Sequence, residues 1–327
     1  MTVVGYASPA WGVHDQRWVE GLRACGFEVE VLSGIEDLAA EVPRRLPRGA
    51  PVLAGPLPTL ARTLVDSAHP IVGLSHGWDL QAGHAQSVPI ADLAWLPRLA
   101  RLIVDSASTG SRAEAAGMPT DRIHLLPWGI DLDRFEPDGE KAALAGPADA
   151  RIVLSLRTHD RLYRTADVIE AFALAASRDP ALFLVMGGTG PLANEHRERL
   201  HGLGLADRVA FPGQVDETAV APLLRAADCY VTASETDGTS VTLLQAMACR
   251  VPVVCSRNPG NGWWIEDGVT GHTFDVGDID RLAELMATAT VPGSGLDQAR
   301  ANVVERADWR RNRLMLAGIM GSSTTTS

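Results

Sequence analysis

The stretch Ser234–Val254, SETDGTSVTLLQAMACRVPVV, decides how this chain is read. The apolar run CYVTAS (Cys229–Ser234) leads into it, a small polar loop follows, then the apolar segment VTLLQAMA, then a second run, VPVVCS. Strand, polar loop, helix, strand is the repeating unit of a parallel sheet. The first amides of a helix have no internal partner and carry partial positive charge. Gly238 gives close access to the backbone, and Thr239 and Ser240 add hydroxyls, a combination that suits a phosphate. Nearly every helix needs a cap, and closure by Asp237, Thr239 or Ser240 is the more ordinary reading of the loop taken by itself.

The same alternation extends in both directions. Downstream of residue 150, RIVLSL, LFLVMGGTGP and RVAFPGQV read as strands, and ADVIEAFALAAS and AVAPLLRAA as helices. Upstream, TVVGYA, FEVEVLS, PVLAGP, PIVGLS and RLIVDS are strands, with a helix over DQRWVEGLRACG. HLLPWGIDLDRFEP closes this half, and DGEKAALAGPADA reads as a linker. The expectation is an α/β chain of two Rossmann-like domains facing across a cleft, with ligands at the strand carboxyl ends. The first spans 1–138 and the second 150–306. A last helix, DQARANVVERADWRRNRLMLAGIMG, is read as continuous, with 307–320 crossing back onto the first domain. The polar end SSTTTS is read as a disordered tail.

Composition narrows the function. The 327 residues carry a net charge of −11, with 46% apolar and 21% charged residues, a globular balance. PRRLPR (Pro43–Arg48) is the longest basic cluster, which argues against nucleic acid or anionic lipid as the main partner. No run of about 18 apolar residues suggests a spanning helix, and the start lacks the charged n-region of a secretion signal. The cysteines, Cys25, Cys229, Cys249 and Cys255, form no CxxC, which fits a reducing cytoplasm. Lys141 is the single lysine.

Other loops carry weaker signals. LRTHDRLYRTAD brings Arg157, Arg161 and Arg164 to one strand end, and arginine suits a bidentate grip on phosphate; surface charge is the alternative for each. GGTGP (Gly187–Pro191) has no following lysine and is not GxGxxG, so it reads as a tight turn. The missing GxGxxG also argues against a nicotinamide oxidoreductase. LSHGWDL places His76 at a strand end in the first half, with Asp79 close by. No metal-ligand cluster stands out.

Together these motifs resemble the donor domain of retaining GT-B glycosyltransferases, the family-four or group 1 type. DGTSVTLLQAMACRVPVVCS resembles their glycine-loop helix and following strand. GNGWWIEDGVTGHTFDVGD resembles their second glycine-rich loop, RIHLLPWGIDLDRFEP their domain-closing segment, and RVAFPGQV their base-binding turn. The likeness runs from about Arg101 to the end; the first hundred residues match in layout. The resemblance implies that Asp237 and Gln245 stand where the family has two glutamates, the first near the donor sugar and the second on the ribose. It implies backbone contacts to diphosphate and sugar at Gly238, Thr239, Ser240 and Val241, and to the base at Val215. Arg157 matches the diphosphate arginine; Arg164 or Arg161 is nearest to the family's lysine. His76 matches the acceptor-domain histidine, and Gly12 lies in the N-terminal loop near the reaction centre. Trp11, His14, Trp78 and His84 are the candidates for acceptor binding.

The implied reaction moves a sugar from a nucleoside-diphosphate sugar, of UDP or GDP type, to a small acceptor with retention and without a metal or other cofactor. Nucleic acid is not an expected partner. Two rivals stand beside it: a non-catalytic nucleotide-sugar binder, motivated by Gln245 and the missing lysine, and a nucleotide-sugar epimerase.

Overall fold

The computed structural model describes residues 1–81, 88–144, 146–147 and 149–323. The chain divides into two compact units, residues 1–129 with the segment from Trp309 onward, and Ile130–Asp308. Unit 1 contains β1 (Thr2–Ser8), β2 (Phe27–Ser33), β3 (Val52–Ala54), β4 (Ile71–Leu74), β5 (Arg101–Val104) and β6 (Ile123–Leu125), with α1 (Val13–Ala24), α2 (Leu38–Arg45), α3 (Arg62–Leu64) and α4 (Ala107–Ala115). Unit 2 contains β7 (Arg151–Leu156), β8 (Leu182–Gly187), β9 (Val209–Gly213), β10 (Cys229–Thr232), β11 (Val253–Ser256) and β12 (His272–Phe274). Its helices are α5 (Thr165–Arg178), α6 (Ala193–Gly202), α7 (Glu217–Ala226), α8 (Val241–Ala248), α9 (Pro259–Gly262), α10 (Ile279–Thr288) and α11 (Gly293–Ala307). The last helix, α12 (Trp309–Ser322), belongs to unit 1.

Each unit is built on one six-stranded parallel sheet, in the orders β2-β1-β3-β4-β5-β6 and β12-β11-β10-β7-β8-β9. The inner strands are apolar almost throughout because both faces are covered, and their residues alternate between two cores. In β8, Phe183 and Val185 join one apolar layer while Leu182, Leu184 and Met186 join the other. In β5, Leu102 and Val104 face one layer of unit 1 and Ile103 the other.

Two sequence expectations need correction. The first domain does not run to residue 138: Ile130 and Phe135 are fully buried in the core of unit 2, with Leu132, Ala142 and Leu144 packed against it. The Ile130 amide donates to the Ala307 carbonyl at 2.6 Å, so this segment is fastened to the end of α11. The final helix is also not continuous. Asp308 is extended (φ −67°, ψ 117°) and separates α11 from α12. The break resets the helical phase, leaving Val304 and Leu314 exposed while Leu316, Ile319 and Met320 enter the core of unit 1. Of the tail, residues 324–327 lie outside the described residues.

An aromatic cluster seats α12. The Trp18 ring lies 5.1 Å from Trp128 and 5.7 Å from Trp309, the latter edge-on. Arg17 stacks over Trp309 at 5.0 Å, and the buried Asn312 amide donates to the Pro127 carbonyl at 2.8 Å. Gly129 passes so close that an added Cβ would sit 2.7 Å from the Trp309 Cα. Because that neighbour is backbone, the helix would have to move. Gly129→Ala is expected to lower stability by about 1–3 kcal/mol, the usual cost of overpacking; chemical denaturation compared with the parent protein checks this.

Candidate functional site

The order of the second sheet fixes where a ligand can bind. β7, β8 and β9 run outward to one edge, and the chain then returns to place β10 on the other side of β7. The loops leaving β7 and β10 therefore diverge at a topological switch point. Register pairs Cys229 with Val153 and Tyr230 with Leu154, which puts Arg157, the first residue after β7, beside the loop that precedes α8.

Arg157 organises this corner. Its Nη2 donates to Ser234 Oγ at 2.8 Å and its Nη1 to Ser240 Oγ at 3.2 Å. Nη2 also forms an ion pair with the Asp237 carboxylate, and the guanidinium lies 4.2 Å from the Tyr163 ring centroid. The Arg157 side chain is only 10% exposed and that of Asp237 15%. Burial opposes the arginine's charge, but the adjacent Asp237 carboxylate offsets it and the pKa stays above its ordinary value. Tyr230, fully buried beneath, is pushed up to about 12 by burial and stays a neutral phenol.

Ser240 occupies the cap position of α8 but forms no capping side-chain bond; its hydroxyl accepts from Arg157 instead. Thr239 and Ser240 are buried, and Val241 begins the helix. Gln245 lies one turn further along α8, 6% exposed.

Residues that sequence reasoning did not single out hold this loop. The Ser256 hydroxyl donates to the Ser234 carbonyl at 2.6 Å, and Asn258 Nδ2 donates to the same oxygen at 3.2 Å. Asn261 Nδ2 donates to the Ser256 carbonyl at 2.9 Å. A Cβ on Gly260 would fall 2.2 Å from the Asp237 carbonyl, so only glycine lets the second loop back the first. On the other side, Gly188 (φ +120°) lies against the Arg157 carbonyl, where a Cβ would sit at 2.2 Å. GGTGP is thus a tight turn, shaped by the backbone it rests on. The recurrence of GNG and GGTG is visible in the sequence; the partners they approach are not.

The three arginines do not act as one group. Arg164 Nε donates to Asp167 Oδ2 at 2.7 Å and caps α5 in a left-handed conformation (φ 46°, ψ 41°). Arg161 is exposed. Val215 is half-buried and packs near Gly187.

Unit 1 arranges its candidates at its own strand ends. His76 follows β4. The buried Asp79 carboxylate accepts from the Ser75 hydroxyl at 2.6 Å, the Leu57 amide at 3.0 Å and the His76 amide at 3.2 Å. Burial lowers the pKa of His76, with Asp79 and Asp15 pulling the other way, which leaves a neutral imidazole near pH 7. Burial raises that of Asp79. Gly12 caps α1, its amide donating to Asp15 Oδ2 at 2.8 Å while the Tyr6 hydroxyl donates to Asp15 Oδ1 at 2.9 Å. Asp15 was not foreseen from the sequence. Trp11 is exposed, His14 lies 4.4 Å from the Trp128 ring, and Trp78 is half-buried. His84 lies outside the described residues.

Two residues beyond Arg157, His159 Nδ1 lies 2.9 Å from His196 Nδ1, with both rings buried. One nitrogen must donate and the other accept. Burial, then His196 and Arg197, push His159 down to about 4; burial also lowers His196. The unfolded histidines titrate near 6.5. The pair's contribution is therefore present above about pH 6.5 and is lost as pH falls toward 4. The melting temperature is expected to drop over this window, and His196→Asn should flatten the drop. Equal slopes for the two proteins would show that the pair is not the source.

The sequence model of the glycosyl transferases group 1 family matches residues 138–301, half of the chain. The lipopolysaccharide core biosynthesis glycosyltransferase LpsE of Rhizobium meliloti is 34% identical over 222 residues, covering 58% of this chain and 62% of that protein. D-inositol 3-phosphate glycosyltransferase 2 of Catenulispora acidiphila is 32% identical over 196 residues, covering 54% and 45%. The GDP-mannose-dependent alpha-(1-6)-phosphatidylinositol monomannoside mannosyltransferase of Mycolicibacterium smegmatis is 29% identical over 247 residues, covering 70% and 62%. The chain thus spans roughly half to three-fifths of the length of these curated relatives. Among solved structures, Anabaena HepE in complex with UDP and glucose superposes with a TM-score of 0.80 at 17% identity, over 98% of this chain and 100% of that one. Sucrose-phosphate synthase from Thermosynechococcus elongatus gives 0.77 at 19% identity, over 100% of both. The fold is GT-B. With its second unit matched almost throughout, this chain belongs to the glycosyl transferases group 1 family.

Proposed function

We propose that this protein transfers a glycosyl group from a nucleoside-diphosphate sugar to a small polar acceptor, with retention at the anomeric carbon. The observation that carries the reading is Arg157, buried at a switch point beside a helix start that its cap residue's side chain does not close. A guanidinium and the first amides of a helix are complementary to a diphosphate. In the transfer, the bond from the anomeric carbon to the phosphate oxygen breaks and a bond to the acceptor oxygen forms. Negative charge grows on the departing phosphate, where Arg157 and the amides from Thr239 to Val241 oppose it. Donors of this kind are typically worth roughly 3–4 kcal/mol each in the transition state.

Retention assigns the acceptor's proton to the leaving phosphate on the same face of the sugar. His76 is assigned to shaping the sugar site rather than to acting as the base; the burial that lowers its pKa also makes its imidazole a weaker proton acceptor. Gln245 is assigned to the ribose hydroxyls, Val215 to the base, and Arg164 or Arg161 to the outer phosphate. Gly12 is assigned to the reaction centre, and Trp11, His14, Trp78 and His84 to the acceptor. The charge supplied by Arg157 and α8 lets the reaction proceed without a metal. UDP and GDP both stay in the proposal, since HepE is described with UDP and the Mycolicibacterium relative with GDP-mannose. A small acceptor is supported by the relative named for D-inositol 3-phosphate. Four free cysteines, three of them buried, support a reducing, cytoplasmic setting. Gln245, neutral where the family has a glutamate, favours the binding-only alternative; any donor-dependent transfer or hydrolysis would remove it.

The test is a thermal-shift panel of UDP, GDP, ADP and TDP. A ligand at 100 times its Kd stabilises the native state by about 2.7 kcal/mol, so one nucleotide is expected to raise the melting temperature clearly. Arg157→Ala should abolish that shift, and Arg157→Ala and His76→Ala should each cut turnover at least tenfold. No shift with any nucleotide, or near-normal turnover in both variants, would refute the reading.

A further inference from the structure

The phosphate-binding arginine of the proposed site is already engaged. Arg157 is ion-paired with Asp237, and both side chains are largely buried. Asp237 belongs to the loop 235–239, where an incoming diphosphate would have to lie to reach the amides of α8. A carboxylate and a phosphate present the same chemistry to a guanidinium, two oxygens accepting from parallel N–H groups. They cannot both occupy one edge of it. The rest of the guanidinium is positioned independently of Asp237: Ser234 and Ser240 accept from its two Nη atoms, and Tyr163 stacks on its face.

We propose that Asp237 is a stand-in anion: it occupies Arg157 in the empty site and the donor's diphosphate displaces it, so that an anion reaching Arg157 alone binds poorly while a diphosphate, which also reaches the helix amides, still binds. The inference rests on the diphosphate reading of the same corner. A single weak anion recovers little more from Arg157 than the carboxylate it displaces. A diphosphate recovers more, because it also reaches the helix amides. Once released, the Asp237 carboxylate can accept from a hydroxyl of the donor sugar beside it. The residue would then act twice, first against premature anion binding and then on the sugar.

The experiment compares the full-length protein with Asp237→Asn and Asp237→Ala. Inorganic phosphate, pyrophosphate and the nucleoside diphosphate identified in the thermal panel are titrated by calorimetry, with circular dichroism as the check on folding. Removing the stand-in charge is expected to tighten phosphate and pyrophosphate at least fivefold. The donor KM should fall with them while kcat falls at least tenfold. A residue that merely braced Arg157 would do the reverse, weakening anions and raising KM; that result overturns the proposal, as does unchanged affinity in both variants. Loss of fold in both variants also overturns it, because a carboxylate that leaves whenever donor binds cannot be required for folding. If the parent protein binds no nucleoside diphosphate yet the variants gain pyrophosphate affinity, the transferase reading fails and the exchange stands. If the parent binds a nucleotide and the variants do not bind anions more tightly, the exchange fails and the transferase reading stands.

Discussion

The corner around Arg157 depends on backbone meeting backbone with no side chain between. On one side the turn after β8 lies on the Arg157 carbonyl, where only a glycine at 188 fits. On the other, Gly260 lies on the carbonyls of Asp237 and Gly238. These contacts fix the direction in which the chain leaves β7 and β10, and with it the placement of a charged side chain that burial would otherwise expel. A buried guanidinium is tolerable only if its donors are met. Rigid neighbouring backbone is what keeps Ser234, Asp237 and Ser240 where they can meet them. Asn258, Asn261 and Ser256 complete the frame by converging on the Ser234 strand end. The Arg306 guanidinium, 3.8 Å from the Trp263 ring and 4.3 Å from Trp264, ties the loop after α9 to α11.

Much of this was legible in the sequence because it rests on local pattern. Apolar runs four to seven residues long, separated by helical spacing, specify a parallel sheet whichever way the chain crosses over. The loop DGTS announced a helix start in search of a partner. What the pattern could not supply was any pairing between residues far apart in the chain. His159 and His196 meet across 37 positions, and nothing in RTHDR or NEHRER signals that. Asp15 gave no sign that it would cap Gly12 and bind Tyr6, since an acidic residue in the first turn of a helix has a sufficient local reason to be there. The three arginines of LRTHDRLYRTAD illustrate the opposite error. Proximity in sequence suggested one cluster, but Arg164 finds a closer carboxylate in Asp167, three residues on along the same helix.

The domain boundary failed for a related reason. In the segment 130–144 the apolar residues are scattered among charged residues, Pro and Gly, so it reads as the end of one half and a linker. Yet Ile130 and Phe135 are each fully buried, and two large side chains of that kind contribute about 1.5–3 kcal/mol apiece. A segment need not be apolar overall to belong to a core; two anchors at the right spacing are enough. The Asp308 break follows the same logic from the other end, since the chain leaves unit 2 where Ile130 bonds to Ala307 and bridges to Asp308.

The departures of this site from the family pattern become coherent when charges are considered together. The resemblance implies two glutamates opposed by an arginine and a lysine. Here one residue of each sign is absent: Gln245 replaces a glutamate, and the only lysine in the chain, Lys141, lies elsewhere. Arg164, the nearest replacement, is already balanced by Asp167. What remains is a single pair, Arg157 with Asp237. Losing only the lysine would have left an excess carboxylate in this corner. Losing only the glutamate would have left a second buried cation without a partner. Losing both preserves near-neutrality in the empty site, at a lower total charge that water does not screen. Arg157 is the cation of that pair, and three hydrogen-bonding neighbours and an aromatic ring hold its side chain.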